Sequence, residues 1–131
     1  MQKIEKEKFV MFGMQGLIVE CNDLRPGNQA TWFNGYLGVS RDHPWWRKGI
    51  NEIEAEVHGG VTYTSHRNPV HGSEKNDVWW VGFTTSHESD LAQYGGEPKI
   101  FGFVKEQLTH LADQAQAVKG EPNVDSGNDV Q

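Results

Sequence analysis

Val61-Thr62-Tyr63-Thr64 and Val78-Trp79-Trp80-Val81-Gly82-Phe83 are two short runs of β-branched and aromatic residues separated by a polar stretch, residues 67–77, that contains Pro69 and Gly72. Runs of that length and composition favour strands, and Pro and Gly between them favour a connecting loop. The pair therefore predicts two adjacent antiparallel strands. Successive strand residues face opposite ways, so Trp79 and Trp80 must lie on different faces of the sheet.

On the N-terminal side, Phe9-Val10-Met11-Phe12 and Gly16-Leu17-Ile18-Val19-Glu20-Cys21 predict two more strands joined by a turn over residues 13–16. Trp32 to Ser40 predicts a further strand, Ile50 to Glu54 a helical turn, and Ala55 to Thr64 an alternating strand broken at Gly59-Gly60. On the C-terminal side, Pro98 suits the first turn of a helix. Ile100, Val104, Leu108, Leu111, Ala115 and Val118 then recur in steps of four and three, which makes one apolar helix face. The predicted fold class is α+β: a twisted antiparallel sheet of about five strands with one long C-terminal helix packed on one face. Residues 1–8, alternating Lys and Glu, read as a solvated leader, residues 9–119 as a single domain, and residues 120–131 as a flexible acidic tail.

A chain of 131 residues with 36% apolar content supports one core, and its five Trp, six Phe and three Tyr must supply much of it. One cysteine, Cys21, permits no internal disulfide, and the opening residues lack a charged segment followed by an apolar run, so a reducing cytoplasm is the expected setting. No apolar stretch reaches the roughly 20 residues that a membrane helix needs. The net charge of −6 is partly concentrated in the tail at Glu121, Asp125 and Asp129, and no basic stripe exists to follow a duplex. Double-stranded nucleic acid is therefore not an expected partner, while a pocket for a single anionic group is compatible with the composition.

Three segments carry the candidate chemistry. Asp42-His43-Pro44-Trp45-Trp46-Arg47-Lys48-Gly49 is an irregular loop holding indoles and cations together. Gly59-Gly60 permits close backbone approach to a phosphate, with Thr62, Arg47 or Lys48 completing the site and a Trp stacking on a base; the competing reading is a bulge in the sheet. Glu56 and His58, two apart on the predicted strand, share a face, and His87 and Asp90 follow the neighbouring strand, so four ligand-type groups converge if both strands end together. These four are the candidate metal ligands, for a divalent ion that would activate water. The competing reading is a polar network that holds strand ends in place. The adjacent pairs Ser65-His66 and Ser86-His87 are poor nucleophile–base candidates, because strand neighbours diverge.

Glu56-Val57-His58-Gly59-Gly60-Val61-Thr62-Tyr63, followed by Trp79-Trp80-Val81-Gly82-Phe83-Thr84-Thr85-Ser86-His87-Glu88-Ser89-Asp90 and an amphipathic last helix, resembles a family of small phage and prophage proteins without a settled function. The family pattern has an acid before His-Gly-Gly, a hydroxyl–aromatic pair, and Trp-Trp-x-Gly-Phe-Asp-x-x-His-x-x-Asp; His43-Pro44-Trp45-Trp46-Arg47-Lys48 is similar to its upstream segment. Thr84 departs from it, standing where the pattern has Asp. The resemblance implies a phage-type accessory protein acting on a host process.

The expected function is binding of a small anionic, nucleotide-like ligand by His58, Gly59, Gly60, Thr62, Trp80, His87, Asp90, Trp46, Arg47 and Lys48, with no cofactor. Alternatives are a metal-assisted hydrolase on Glu56, His58, His87 and Asp90, and an inhibitor that binds a host nuclease or defence complex through an exposed Trp. Homodimerisation through the aromatic face is a further expectation.

Overall fold

The computed structural model describes residues 2–26, 30–74, 77–86 and 97–119, the side chains of 97–100 excepted. Its elements are β1 (Gln2–Met11), β2 (Met14–Asp23), β3 (Ala30–Val39), β4 (Tyr63–Ser65), β5 (Trp79–Thr84) and a 23-residue helix, α1 (Glu97–Lys119). The strands form one antiparallel sheet in the order β1-β2-β3-β5-β4, and α1 packs on one face of it, an α+β architecture. No described helix is long and apolar enough to cross a membrane.

β1 and β2 meet in a two-residue turn at Phe12-Gly13, where φ is 52° and 78°. Positive φ at both central positions matches the right-handed twist of a hairpin, and it moves the turn ahead of the 13–16 span expected from the glycines. Gly16 instead lies inside β2, opposite Phe9. Residues 2–8, expected as a leader, are solvated but belong to the fold as most of β1. They form the outer edge of the sheet. Their alternating charge and the register shift between Glu5 and Glu7 are the devices that keep an exposed edge from pairing with another chain.

Strand parity divides the core in two. On the helix side Ile18, Phe33, Leu37, Val81 and Phe83 meet Val104, Leu108, Leu111, Ala112 and Ala115, as the helix periodicity predicts. On the other side Leu17, Val19, Cys21, Tyr36 and Trp80 form a second buried cluster, joined by Val70 and Val78. Aromatic rings of one strand cover glycines of the next: Phe9 over Gly16, Phe83 over Gly35, and Tyr36 over Gly82. At Gly82 this lets Tyr36 and Tyr63 meet edge to face across β5, ring centroids 5.3 Å apart.

The sheet curls over its far face. Lys8 on β1 and His66, Asn68, His71 and Ser73 just beyond β4 come from opposite edges of the sheet, yet they line one cleft. Strong twist of this kind draws the edges together over the face they enclose.

Candidate functional site

The loop after β3 divides its aromatic residues. Pro44 and a chain of turn hydrogen bonds, His43 N–H to Ser40 O, Trp46 N–H to His43 O and Lys48 N–H to Trp45 O, fold it back on itself. His43 is 2% exposed; its Nδ1 accepts from Trp45 N–H at 2.9 Å and its Nε2–H donates to Ala115 O of α1 at 2.9 Å. Those roles require the neutral ring, and burial pushes its pKa below the usual value. His43 and the buried Trp45 therefore anchor the loop to the helix.

Trp46 is left at the surface between cations. The Arg41 and Arg47 guanidinium carbons lie 5.8 and 5.9 Å from its ring centroid, within cation–π range. Arg47 adopts φ 59°, a left-handed conformation uncommon for a residue with a side chain. Its Nε–H donates to His66 Nε2 at 3.3 Å, and His66 Nδ1–H donates to Val78 O at 2.8 Å. His66 stands between Trp46 and Trp79, with centroids at 5.0 and 4.8 Å and both rings edge-on. The Trp79 indole N–H donates to Lys48 O.

The Glu56–Thr62 segment is not a strand, which removes the geometry that placed Glu56 and His58 side by side on a sheet. Ala55, Val57 and Val61 produce the alternation by packing on the helix-side core. The backbone hydrogen bonds go to helix side chains instead of a neighbouring strand. Gln114 accepts from Glu56 N–H and donates to Glu56 O, both at 2.7 Å, and Gln107 accepts from His58 N–H at 2.9 Å. The Glu56 side chain is exposed, and the His58 ring packs edge-on against Phe103 of α1 at 5.0 Å. Gly59 and Gly60, with φ 70° and 78°, form a turn closed by Gly60 N–H to Val57 O, so neither the bulge nor the phosphate loop is what they build. Thr62 is exposed and joins the sheet through its N–H to Gly82 O.

Trp80, expected as a ligand-binding residue, is only 4% exposed. The loop after β4 covers it. Its Nε1–H has no acceptor among the described residues, and Asn34 Oδ1 is the single fully buried polar side-chain atom there without a partner. Trp80 also lines the cleft under that loop. The cleft has a volume of about 170 Å³ and is bounded by Lys8, Gln15, His66, Asn68, His71, Ser73, Val78 and Trp80. Asn68 Oδ1 is already occupied by the Val70 and His71 N–H groups, which leaves its amide nitrogen as a donor. Among the described residues Lys8 has no ion-pair partner and no carboxylate lines the cleft.

The expected site is thus divided. Trp46 and Arg47 adjoin His66, and Trp80 forms part of the cleft. Lys48 contributes its carbonyl to Trp79, while His58, Gly59, Gly60 and Thr62 belong to the segment along α1. His87 and Asp90 lie outside the described residues, as do residues 120–131. Among the described residues no group of three or more His, Cys, Asp or Glu is placed to hold a metal ion. Cys21 and Tyr36 sit in the second core, where burial pushes both the thiol and the phenol up and keeps them protonated. Thr84, the departure from the phage pattern, accepts Ser86 N–H through its hydroxyl and turns the chain off β5.

Sequence reasoning missed Lys8, Asn68, His71 and Ser73 as site residues, and it weighed His66 only as a partner for Ser65. Asn68-Pro69 before His71-Gly72 was the available signal, an Asx turn that fixes an imidazole. Comparison with protein-family models, curated proteins and solved structures brings no match for this chain.

Proposed function

We propose that this protein binds a small anionic, nucleotide-like ligand, and that the anionic head enters the cleft over Trp80. The observation that carries this reading is the composition of the cleft: Lys8, Asn68, Ser73 and His71 offer donors around one space beside Trp80, and none of the described residues lining it is a carboxylate. A cleft of about 170 Å³ is smaller than whole-ligand pockets, which start near roughly 300 Å³, so it suits a phosphate-sized head. The body of the ligand then lies over the rim, where Trp46 and the Arg41 and Arg47 side chains offer aromatic and cationic surface. A setting as a phage accessory protein directed at a host defence rests on the resemblance of the His-Gly-Gly and Trp-Trp segments.

A thermal-melt panel of inorganic phosphate, nucleoside monophosphates and uncharged nucleosides tests the reading. Anionic members raise the melting temperature and uncharged nucleosides do not. Lys8→Ala removes a charge-assisted bond, for which about 1.5–3 kcal/mol, or roughly tenfold or more in affinity, is expected. Trp80→Phe keeps the ring and deletes the donor, with a smaller loss. If no anion stabilises the protein, or if both variants bind as the parent does, the reading fails.

A further inference from the structure

The His43 ring is enclosed on one side and borders open space on the other. It is 2% exposed, lies edge-on to Trp45 with centroids 5.2 Å apart, and bonds Trp45 N–H and Ala115 O at 2.9 Å each. It also lines a cleft of about 190 Å³, whose other walls are the turn into β2, the end of β3, the entry to β5 at Asp77 and the last residue of α1, Lys119. A ring held by two hydrogen bonds with polar space beside it has a second place to go.

Its present seat suits only the neutral form. Trp45 N–H and a protonated Nδ1 are both donors, so a second ring proton sets N–H against N–H where a hydrogen bond stood. Burial already holds the pKa below 6.5 against the pull of the Ala115 O bond; Lys119 adds to the lowering and Asp42 opposes it. Of the other charges on the same loop, Arg41 lies over Trp46, and Asp42 is bonded by the Ser40 hydroxyl. Asp77, from the entry to β5, has no hydrogen bond or ion pair among the described residues. In the cleft an imidazolium meets solvent and that carboxylate, which offsets Lys119, instead of a facing donor.

The loop is built outward from this ring. His43 ties residues 41–49 to α1 through Ala115 O, its own carbonyl accepts Trp46 N–H, and the next turn follows from Trp45 O to Lys48 N–H. We propose that His43 is a proton-operated latch on this loop: one proton from solvent adds to Nδ1, the bond from Trp45 N–H breaks, and the ring swings off α1 into the cleft beside Asp77, freeing the segment that carries Trp46 and Arg47. The latch is shut above about pH 6.5 and opens as the pH falls through the lowered value of the folded protein. It belongs to the loop and α1 and stands whether or not the cleft over Trp80 holds an anion.

Nuclear magnetic resonance of the full chain between about pH 7.5 and 4.5 tests it. At the upper end the His43 ring is the Nε2–H tautomer. As it titrates, the Trp45 amide proton loses its hydrogen-bonded shift and the Gly38, Ser40 and Val78 amides beside the cleft move with the same midpoint, while those of Leu17, Val19 and Phe33 stay in place. Corrected for the intrinsic rate, protection of the Trp45, Trp46 and Lys48 amides against exchange falls by up to about tenfold per pH unit over that range. His43→Gln can donate to Ala115 O and accept from Trp45 N–H but cannot titrate, so the transition disappears. Asp77→Asn, at an exposed position, keeps the fold and weakens proton binding by His43 by roughly threefold, because the acid that receives the imidazolium is gone. A Trp45 amide that stays hydrogen-bonded while His43 titrates overturns the latch. So does loss of that bond only together with the Leu17 and Phe33 signals, which is global unfolding. A midpoint unmoved by Asp77→Asn overturns the swing into the cleft.

Discussion

His43 and Phe12 show how far one residue's environment governs behaviour. Burial lowers the His43 pKa from its ordinary 6.5, opposed by the bond to Ala115 O and reinforced by Lys119, with Asp42 opposing. Between that lowered value and 6.5 the unfolded chain holds more protons than the folded one. Stability is therefore full above about pH 6.5 and is lost as pH falls, with a slope no steeper than about 1.4 kcal/mol per pH unit. Urea unfolding at about pH 7.5 and pH 5.5 measures this. His43→Phe should flatten the acid loss while costing about 1–3 kcal/mol at the higher pH, because Trp45 N–H loses its acceptor. An unchanged acid slope would assign the effect to another group. Phe12 presents the opposite case, a bulky residue 51% exposed and held at φ 52°. Left-handed backbone costs a residue with a side chain about 1–2 kcal/mol, and asparagine tolerates it best after glycine. Phe12→Asn therefore raises stability by about 1 kcal/mol, read as a higher denaturant midpoint.

At the scale of elements, local pattern and tertiary context separate cleanly. The helix was legible because the spacing of Val104, Leu108, Leu111 and Ala115 is a property of the segment itself, and those residues are the ones buried. The Glu56–Thr62 segment was misread because Ala55, Val57 and Val61 alternate as in a strand, while the fate of their backbone groups depends on Gln107 and Gln114, about two helical turns apart and far along the chain. Gln114→Ala tests that account. It removes both bonds to the Glu56 backbone and should cost about 1–2 kcal/mol, with amide exchange at Glu56 accelerated and exchange in β2 and β3 following only the global change. Residues 2–8 were misplaced for a different reason, since an edge strand with most residues exposed has no apolar alternation to betray it. The partners of the strand glycines were not legible in the sequence. A Cβ at Gly82 would stand 2.4 Å from the Tyr36 ring and 3.0 Å from Gly35 O. Gly82→Ala must displace a packed ring and should cost about 1–3 kcal/mol in a thermal or urea melt.

For the whole molecule, the decisive property is the curl that brings the two sheet edges together, and this explains why the candidate site was only half visible in the sequence. Trp46 and Arg47 advertise themselves within one loop, and Trp80 within one strand. The cleft exists because Lys8, near the start of the chain, comes to face His66, Asn68 and His71 beyond β4. A ligand seated there touches both edges, so its binding energy acts on both at once. At about one hundred times its dissociation constant it should stabilise the fold by about 2.7 kcal/mol. The distribution of that gain is the more telling measurement. Hydrogen exchange with and without the anion should show protection rising together in residues 6–11 and 66–73, beyond any rise in residues 104–115 of α1, whose contacts lie on the opposite face. Protection confined to the loop after β4 would mean that the anion rests on one edge alone, and Lys8 would then have no part in holding it.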